Sequence, residues 1–282
     1  VELIDGEALT RGGAGGTEKI MQQVPTIAST YLGSGRNKLF IRGIADSSFT
    51  GPTQATVGQY LGDLRLSYNA PDPDLRLSDL ERVEVLEGPQ GTLYGAGSLG
   101  GIIRLVPNMP DLSFAAVSGQ IGGSLTQHGE AGADASATLN LPLVRDRAGL
   151  RMTLDAATLG GYIDKPLLGR DDVNRTEILG GRAIARLEAA PGWTLDLVGV
   201  LQATDSADSQ YADRGGASRN RDARVAEGAE SEYAQAQFVL SGELGGLRLR
   251  SSTGFTWHVL MERYDATAPG GAPRLFVQAN DS

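Results

Sequence analysis

The chain has 282 residues and a mass of 29.5 kDa, enough for one large or two ordinary domains. Its formal charge of -9 and pI near 4.8 argue against nucleic acid or an anionic leaflet as the principal partner. There is no cysteine, which removes disulfides, thiolate nucleophiles and cysteine metal sites, and no run reaches the roughly 18 unbroken apolar residues of a membrane-spanning helix.

The first residues, VELIDGEALTRGG, lack the basic, apolar and small-residue regions of a signal peptide, so an exported protein is expected here in a processed or trimmed form. Residues 1–4 read as a strand and residues 18–23 as a short helix ahead of Val24-Pro25. Residues 39–44 form a strand, and residues 46–52 (DSSFTGP) a turn-rich loop. Strand character resumes over 56–61, before Gly62-Asp63. In the next loop, residues 67–74 (SYNAPDPD), Pro71 and Pro73 forbid regular structure.

Residues 84–106, EVLEGPQGTLYGAGSLGGIIRLV, hold two β-type runs separated by a Gly-Pro break and a glycine-studded turn region. Gly95, Gly97 and Gly100 spell GxGxxG, but a dinucleotide site needs a helix leaving the glycines. Here a β-branched run closed by Pro107 and Pro110 follows them, so the glycines are assigned to backbone geometry. The half ending near Asn108 reads as a small mixed α+β domain.

The stretch LERVEVLEGPQGTLYGAGSLGGIIRLVPNMP resembles the plug signature of the TonB-dependent outer-membrane receptors, with Leu39-Phe40-Ile41-Arg42-Gly43 similar to the family's upstream "IRG" strand. The matching signature positions are Gly43, Gly88, Pro89, Gly91, Tyr94, Gly95, Gly100 and Gly101. At Glu87 the sequence departs from the family, where many members carry an arginine thought to help hold the plug to the barrel. The resemblance implies a plug domain over residues 1–108 and barrel strands over 109–282. The chain starts too close to the plug body to show the family's short energy-coupling segment.

After Asp111 the pattern keeps a period of two. Residues 115–126, 133–143, 147–156, 193–202, 234–244 and 247–262 alternate apolar or small residues with polar ones, and Leu179, Ala183, Ala185 and Leu187 are set against Glu177, Arg182, Arg186 and Glu188. These seven strands, with an eighth starting at 274–278, have the roughly ten-residue length of a tilted membrane strand. Short turns at Arg145-Asp146, Pro191-Gly192 and Gly245-Gly246 interleave with long polar links at 161–175 and 205–231, as in an outer-membrane barrel. A soluble sandwich or propeller also alternates. The fold class is therefore a mixed α+β plug followed by antiparallel transmembrane β-barrel strands, a partial barrel where the family's full barrel is 22-stranded. Such a barrel needs on the order of 450 residues, and an eight-stranded one is filled by its own side chains. The expectation is a fragment of a longer receptor, or one chain of an assembly, with an open sheet and exposed edges.

Catalysis finds little support. His128 and His258 lie in different hairpins without metal-ligand spacing and read as solvated, and Ser98 and Ser124 have no adjacent histidine and acid. The acids of 70–74 and 203–208 read as solvated loop charge, so no metal site and no cofactor are expected. By the resemblance, plug loops 45–52 and 67–74 contact the substrate. Phe49 and Tyr68 are the first candidates and Tyr31 and Arg36 the next, since aromatic residues on turns give contact area at low entropy cost. Arg42 and Arg104 are candidates to pair with barrel carboxylates such as Glu177 or Glu188. The implied function is active uptake of a scarce ligand, first a ferric siderophore and next cobalamin or oligosaccharide, across the bacterial outer membrane. Outer-membrane lipid and TonB are the implied partners, with no role for nucleic acid. The alternatives are a passive or structural outer-membrane barrel protein with a plug-like assembly module, and a soluble nucleotide-binding enzyme.

Overall fold

The computed structural model describes residues 1–10, 15–45, 53–213 and 219–282. Its N-terminal unit holds β1 (Glu2–Asp5), α1 (Gly6–Thr10), α2 (Thr17–Gln23), β2 (Ile27–Ser29), β3 (Leu39–Ile41), β4 (Thr53–Gln54), β5 (Val57–Leu61), β6 (Leu64–Arg65), β7 (Asn69–Ala70), β8 (Leu80–Glu87), α3 (Gly91–Tyr94) and β9 (Gly101–Pro107). A five-stranded sheet in the order β1-β8-β9-β5-β6 organises it, antiparallel except between β5 and β9. Val83 and Val85 of β8 and Ile103 and Leu105 of β9 are buried, and Leu9, Ile20, Val24 and Ile41 are among the residues that join them in one apolar cluster. Alternation on β8 turns Val83 and Val85 into that cluster.

The glycine-rich stretch holds one element that its composition hides. After Pro89, the amides of Leu93 and Tyr94 both donate to the Gln90 carbonyl, making the single helical turn α3. Gly95, at φ 73°, ends it, donating to Gly91 O. Positive φ at a helix C-terminus favours glycine. No helix leaves the GxGxxG: Gly100 donates to Thr56 O and β9 begins at the next residue.

The second unit is an eight-stranded antiparallel sheet in sequence order: β10 (Ala116–Leu125), β11 (Ala131–Val144), β12 (Ala148–Leu159), β13 (Thr176–Ala190), β14 (Trp193–Ser206), β15 (Gly228–Leu244), β16 (Leu247–Asp265) and β17 (Leu275–Asp281). It is open, because β10 and β17 are its two ends. The short turns lie along one edge and the long links 160–175 and 207–227 along the other. Several strands run past the apolar stretches on the long-loop side, where β15 reaches back to Gly228 and β16 continues to Asp265.

Strict alternation corrects two expectations about the faces. Glu177 has the parity of Leu179, so it lies on the outer face, paired with Arg175 and away from the N-terminal unit. The inner face is also less polar than its sequence pattern suggests. Ile184, Val198, Val200 and Tyr233 belong to the same buried cluster as Leu66, Leu75 and Leu77, so the sheet and the N-terminal unit share one core.

Gly101 offers a sharp test of this packing. It has φ 144°, and a Cβ there would stand 2.3 Å from Leu86 O and 2.9 Å from Ile41 Cδ1. Gly101→Ala is expected to lower stability by more than about 1 kcal/mol in urea denaturation. Gly91→Ala, in α3 with no atom within 4 Å of the added Cβ, should leave the midpoint unchanged or raise it.

Candidate functional site

The loop between β2 and β3 forms the tip of the N-terminal unit at the long-loop edge of the sheet. Its shape comes from Asn37, whose Oδ1 accepts the amides of Leu32 and Gly33 at 2.8 and 3.3 Å, while Arg36 N donates to Gly33 O. Asp74 fixes the loop from below. One carboxylate oxygen accepts Thr17 N and Thr17 Oγ1 at 2.7 and 2.8 Å, and the other accepts Ser34 Oγ at 2.7 Å and Gly35 N at 3.4 Å. The tip is therefore joined to the start of α2. On the sheet side, Gln202 Nε2 of β14 donates to the carbonyls of Pro73 and Asp74.

A cavity of about 540 Å3 opens between this tip and the sheet. Tyr31, 70% exposed, stands at it, and Glu18, Arg76, Tyr162, Asn174 and Gln210 are among its walls. The Tyr162 hydroxyl donates to Gln210 Oε1 at 2.7 Å, and Asn174 Nδ2 donates to the same oxygen at 2.6 Å. Gly33 packs against that clasp, since a Cβ on it would lie 2.7 Å from Gln210 Cγ. Behind the clasp the long links are stapled by Lys165, fully buried between Asp208 at 2.6 Å and Glu227 at 3.1 Å. Burial favours the neutral form of Glu227, but hydrogen bonds from Arg221 and the Asp265 amide, with the Lys165 charge, bring its pKa down to about 2.

Of the expected ligand contacts, Tyr31 lines this cavity. Tyr68 does not; it is exposed, with the Arg65 guanidinium 4.7 Å from its ring centroid, on the cluster that includes Tyr60 and Tyr94. Phe49 lies outside the described residues. Arg36 turns away from solvent: it is 2% exposed, its Nε donates to Glu262 Oε1 at 2.9 Å, and its guanidinium lies 5.2 Å from the Tyr264 ring centroid. It ties the tip to β16.

The expected pairing of Arg42 and Arg104 with sheet carboxylates is overturned. Arg42 pairs with Glu87, which also accepts from Thr26 Oγ1. Arg104 meets Glu84 at 3.1 Å, its direct cross-strand neighbour, and Asp63 at 2.7 Å. Nearby carboxylates of the same unit capture both arginines before they reach the sheet. Asp63 then accepts from Arg250 of β16 at 2.6 Å, so Arg104 reaches the sheet at one remove.

The main junction has the opposite polarity to the one expected. Asp79 of the N-terminal unit accepts Arg151 Nε and Nη2 at 2.8 and 2.5 Å, and Thr153 Oγ1 at 3.0 Å. Arg182 donates to the carbonyls of Ser78 and Asp79, and Ser78 Oγ donates to Asp155. Burial alone would raise the Asp79 pKa, but hydrogen bonds from Arg151 and Asn108 and the charges of both arginines hold it below the usual carboxylate range.

The acids read as solvated loop charge are in part buried. Asp72 accepts Gln59 Nε2 at 2.8 Å, Asp74 is held as described, and Asp208 is closed over by Lys165. His258 is buried as well, with Nε2 3.0 Å from Ser231 Oγ and its ring edge-on to Tyr233. Sequence reasoning missed Arg76 and Asp79, and took the buried Asp74 for solvated loop charge. The only available signal was charge confined between prolines and the strand starting at Leu80, where a solvated loop seemed sufficient.

Comparisons with known proteins agree with this architecture. Residues 1–102 match the family described as TonB-dependent receptor plug domain. The pesticin receptor of Yersinia pestis is 57% identical over 35 residues, 12% of this chain and 5% of that protein. The ferripyoverdine receptor of Pseudomonas aeruginosa is 29% identical over 102 residues, 36% of this chain and 12% of that protein. Among solved structures, the ferric yersiniabactin uptake receptor from Yersinia pestis matches with a TM-score of 0.77 at 18% identity, over 93% of this chain and 41% of that one. A siderophore receptor from Acinetobacter baumannii matches with a TM-score of 0.71 at 12% identity, over 99% and 43%. At these identities the structural likeness is one of fold, and the chain spans less than half the length of either solved relative.

Two measurements test the junction and the buried acid. Asp79→Ala strips the counter-ion from two inward-facing arginines, and breaking such a pair from one side costs about 3–5 kcal/mol. The variant should expose the N-terminal unit to protease, with partial recovery in the Asp79→Ala/Arg151→Met double variant; unchanged protection would remove the junction from the account. Asp72 is the second case. Burial, against the Arg65 charge and the Gln59 hydrogen bond, raises its pKa from 3.8 to about 7. The folded state then keeps a proton that the unfolded chain has lost, so its stability falls as pH rises from about 4 to about 7. Asp72→Asn should reduce that slope in denaturation curves taken across the interval, and an unaltered slope would show that Asp72 is not its source.

Proposed function

We propose that this chain, a TonB-dependent receptor plug domain followed by an antiparallel eight-stranded sheet like part of those receptors' barrel, serves active uptake of a ferric siderophore across the bacterial outer membrane. The observation that carries this reading is the way the plug is mounted. It lies on the inner face of the sheet, shares its core, and is fastened by a few discrete polar ties at Asp79, Asp63 and Arg36. A plug fastened this way closes a pore at rest and comes loose when the ties are broken.

The long-loop edge faces outward in this reading, and the plug tip with its cavity meets the ligand. Tyr31, Tyr68 and Phe49 are the proposed contacts, and residues 1–108 are the proposed plug unit. The wall's apolar outer face meets outer-membrane lipid, with residues such as Leu154, Leu179, Leu201 and Phe255 exposed there. TonB acts from the opposite side by strand addition to a segment near the N-terminus. A pull there reaches the plug sheet through β1, which pairs with β8 from Glu2↔Val85 to Asp5↔Arg82. The relatives named for ferripyoverdine and ferric yersiniabactin support a siderophore as cargo.

Iron-starved cells making the intact receptor should accumulate radioiron from a ferric siderophore, and a protonophore should abolish the accumulation. Uptake that continues after the proton-motive force collapses would favour a passive barrel instead, and competition by cobalamin or an oligosaccharide would reassign the cargo. In the same cells, Tyr31→Ala with Tyr68→Ala should weaken ligand binding about tenfold at normal surface expression.

A further inference from the structure

The outer face of the wall carries a furrow that plays no part in mounting the plug. Strand pairing lines up Leu154, Gly181, Leu201, Ala234 and Trp257 in one row across β12 to β16, with Ala183 and Gly199 in the next row toward the short turns. The glycines and alanines leave a floor among the larger side chains, and the cavity over it measures about 710 Å3. A second cavity of about 680 Å3 continues it toward the long-loop edge, sharing Leu179, Ala203 and Glu232 with the first. There the walls turn acidic. Glu177, Asp205 and Glu230 stand directly opposite one another across β13, β14 and β15, and Glu232 follows Glu230 on the same face of β15.

Like charges directly opposite each other destabilise a sheet, and carboxylates at the border of hydrocarbon lose hydration. The row is relieved at its ends only. Arg175 pairs with Glu177 at 3.1 Å and Arg263 with Glu230, whereas no cation among the described residues pairs with Asp205 or Glu232, both of them exposed. The furrow therefore joins an apolar trough to a seat for positive charge. Its length suits one lipid chain. From Gly199 to Asp205 the strand advances about 20 Å at roughly 3.3 Å per residue, and a tilt of about 40° turns this into about 15 Å of depth, half of a hydrocarbon core of about 30 Å. An anionic head would be repelled by the row, and a head without N–H donors would leave both carboxylates without hydrogen bonds.

We infer that this furrow seats a membrane lipid whose head carries a primary ammonium, with a chain along Gly181 and Gly199 and the ammonium on Asp205 and Glu232. This goes beyond uptake and rests only on the reading that the outer face meets lipid. The test places the intact protein in phosphatidylcholine vesicles and adds dibrominated phosphatidylethanolamine, phosphatidylcholine or phosphatidylglycerol as quencher. The furrow's signal is the fluorescence quenching that disappears in Trp257→Phe. Phosphatidylethanolamine is expected to bind there about threefold more tightly than phosphatidylcholine, as an exposed ion pair allows, and phosphatidylglycerol more weakly than either. The double variant Asp205→Asn/Glu232→Gln changes only exposed side chains, so folding is spared, and it should bring phosphatidylethanolamine down to the level of phosphatidylcholine. Gly199→Leu fills the floor, where an added Cβ meets no atom within 4 Å, and should abolish the preference as well. Equal quenching by phosphatidylethanolamine and phosphatidylcholine, or a preference that survives either variant, would overturn the inference and leave the lipid-facing reading intact. Trp257 quenched by none of the three lipids would overturn both, as a second copy seated over the furrow would produce.

Discussion

The structure hangs on a carboxylate that belongs to one unit and is satisfied by the other. Asp79 ends the irregular stretch after β7, just before β8, and meets Arg151 of β12 while Arg182 of β13 takes the carbonyls beside it. Neither side is complete alone. Without the plug, Arg151 and Arg182 would lose the carboxylate they share; without the wall, Asp79 would keep only Asn108 among its side-chain partners. Mutual completion of buried charge fixes the plug's position more sharply than the apolar patch can, because apolar contact is not directional and hydrogen bonds are.

From that joint the remaining ties follow the plug upward. Gln202 grips the backbone at Pro73 and Asp74, Asp74 gathers Thr17 and the tip loop, and Arg36 closes the top against Glu262 and Tyr264. The tip loop and the first residues of α2 thus share one carboxylate. Any displacement of the tip must either carry Thr17 with it or give up hydrogen bonds to a buried charge, which gives the tip a short physical route to the N-terminal part of the plug. On the outside, Lys165, Asp208, Glu227 and Arg221 draw the two long links together, so the cavity has a fixed wall on the loop side as well.

Much of this was legible in the residues. The period of two gave the strands after Asp111, the tight turns and long links gave their up-and-down order, and the wording of residues 80–110 pointed to the plug. The charge pairings are less legible, and for one reason: sequence gives the parity of a strand residue and the composition of a loop, but not what lies across from either. Arg42 and Arg104 were matched to the wall although Glu87 and Glu84 of their own unit were nearer. The charge of Glu177 suggests an inner position, whereas its register with Leu179 puts it outside, paired with Arg175. The SYNAPDPD loop looked solvated because nothing in the string shows that Gln59 and Thr17 arrive beside it.

The sequence by itself determined the order of the strands after Asp111, the positions of their tight turns and the kind of domain that precedes them. These follow from local chemistry: alternation, glycine at positive φ and proline at breaks. Only the tertiary structure decided which group each charge meets: Asp79 with Arg151, Arg36 with Glu262, and Asp74 with Thr17. Those pairings join residues from 57 to 226 positions apart and depend on how the plug is rotated within the sheet. That rotation is set by packing and burial summed over both units, which no local window of the chain contains.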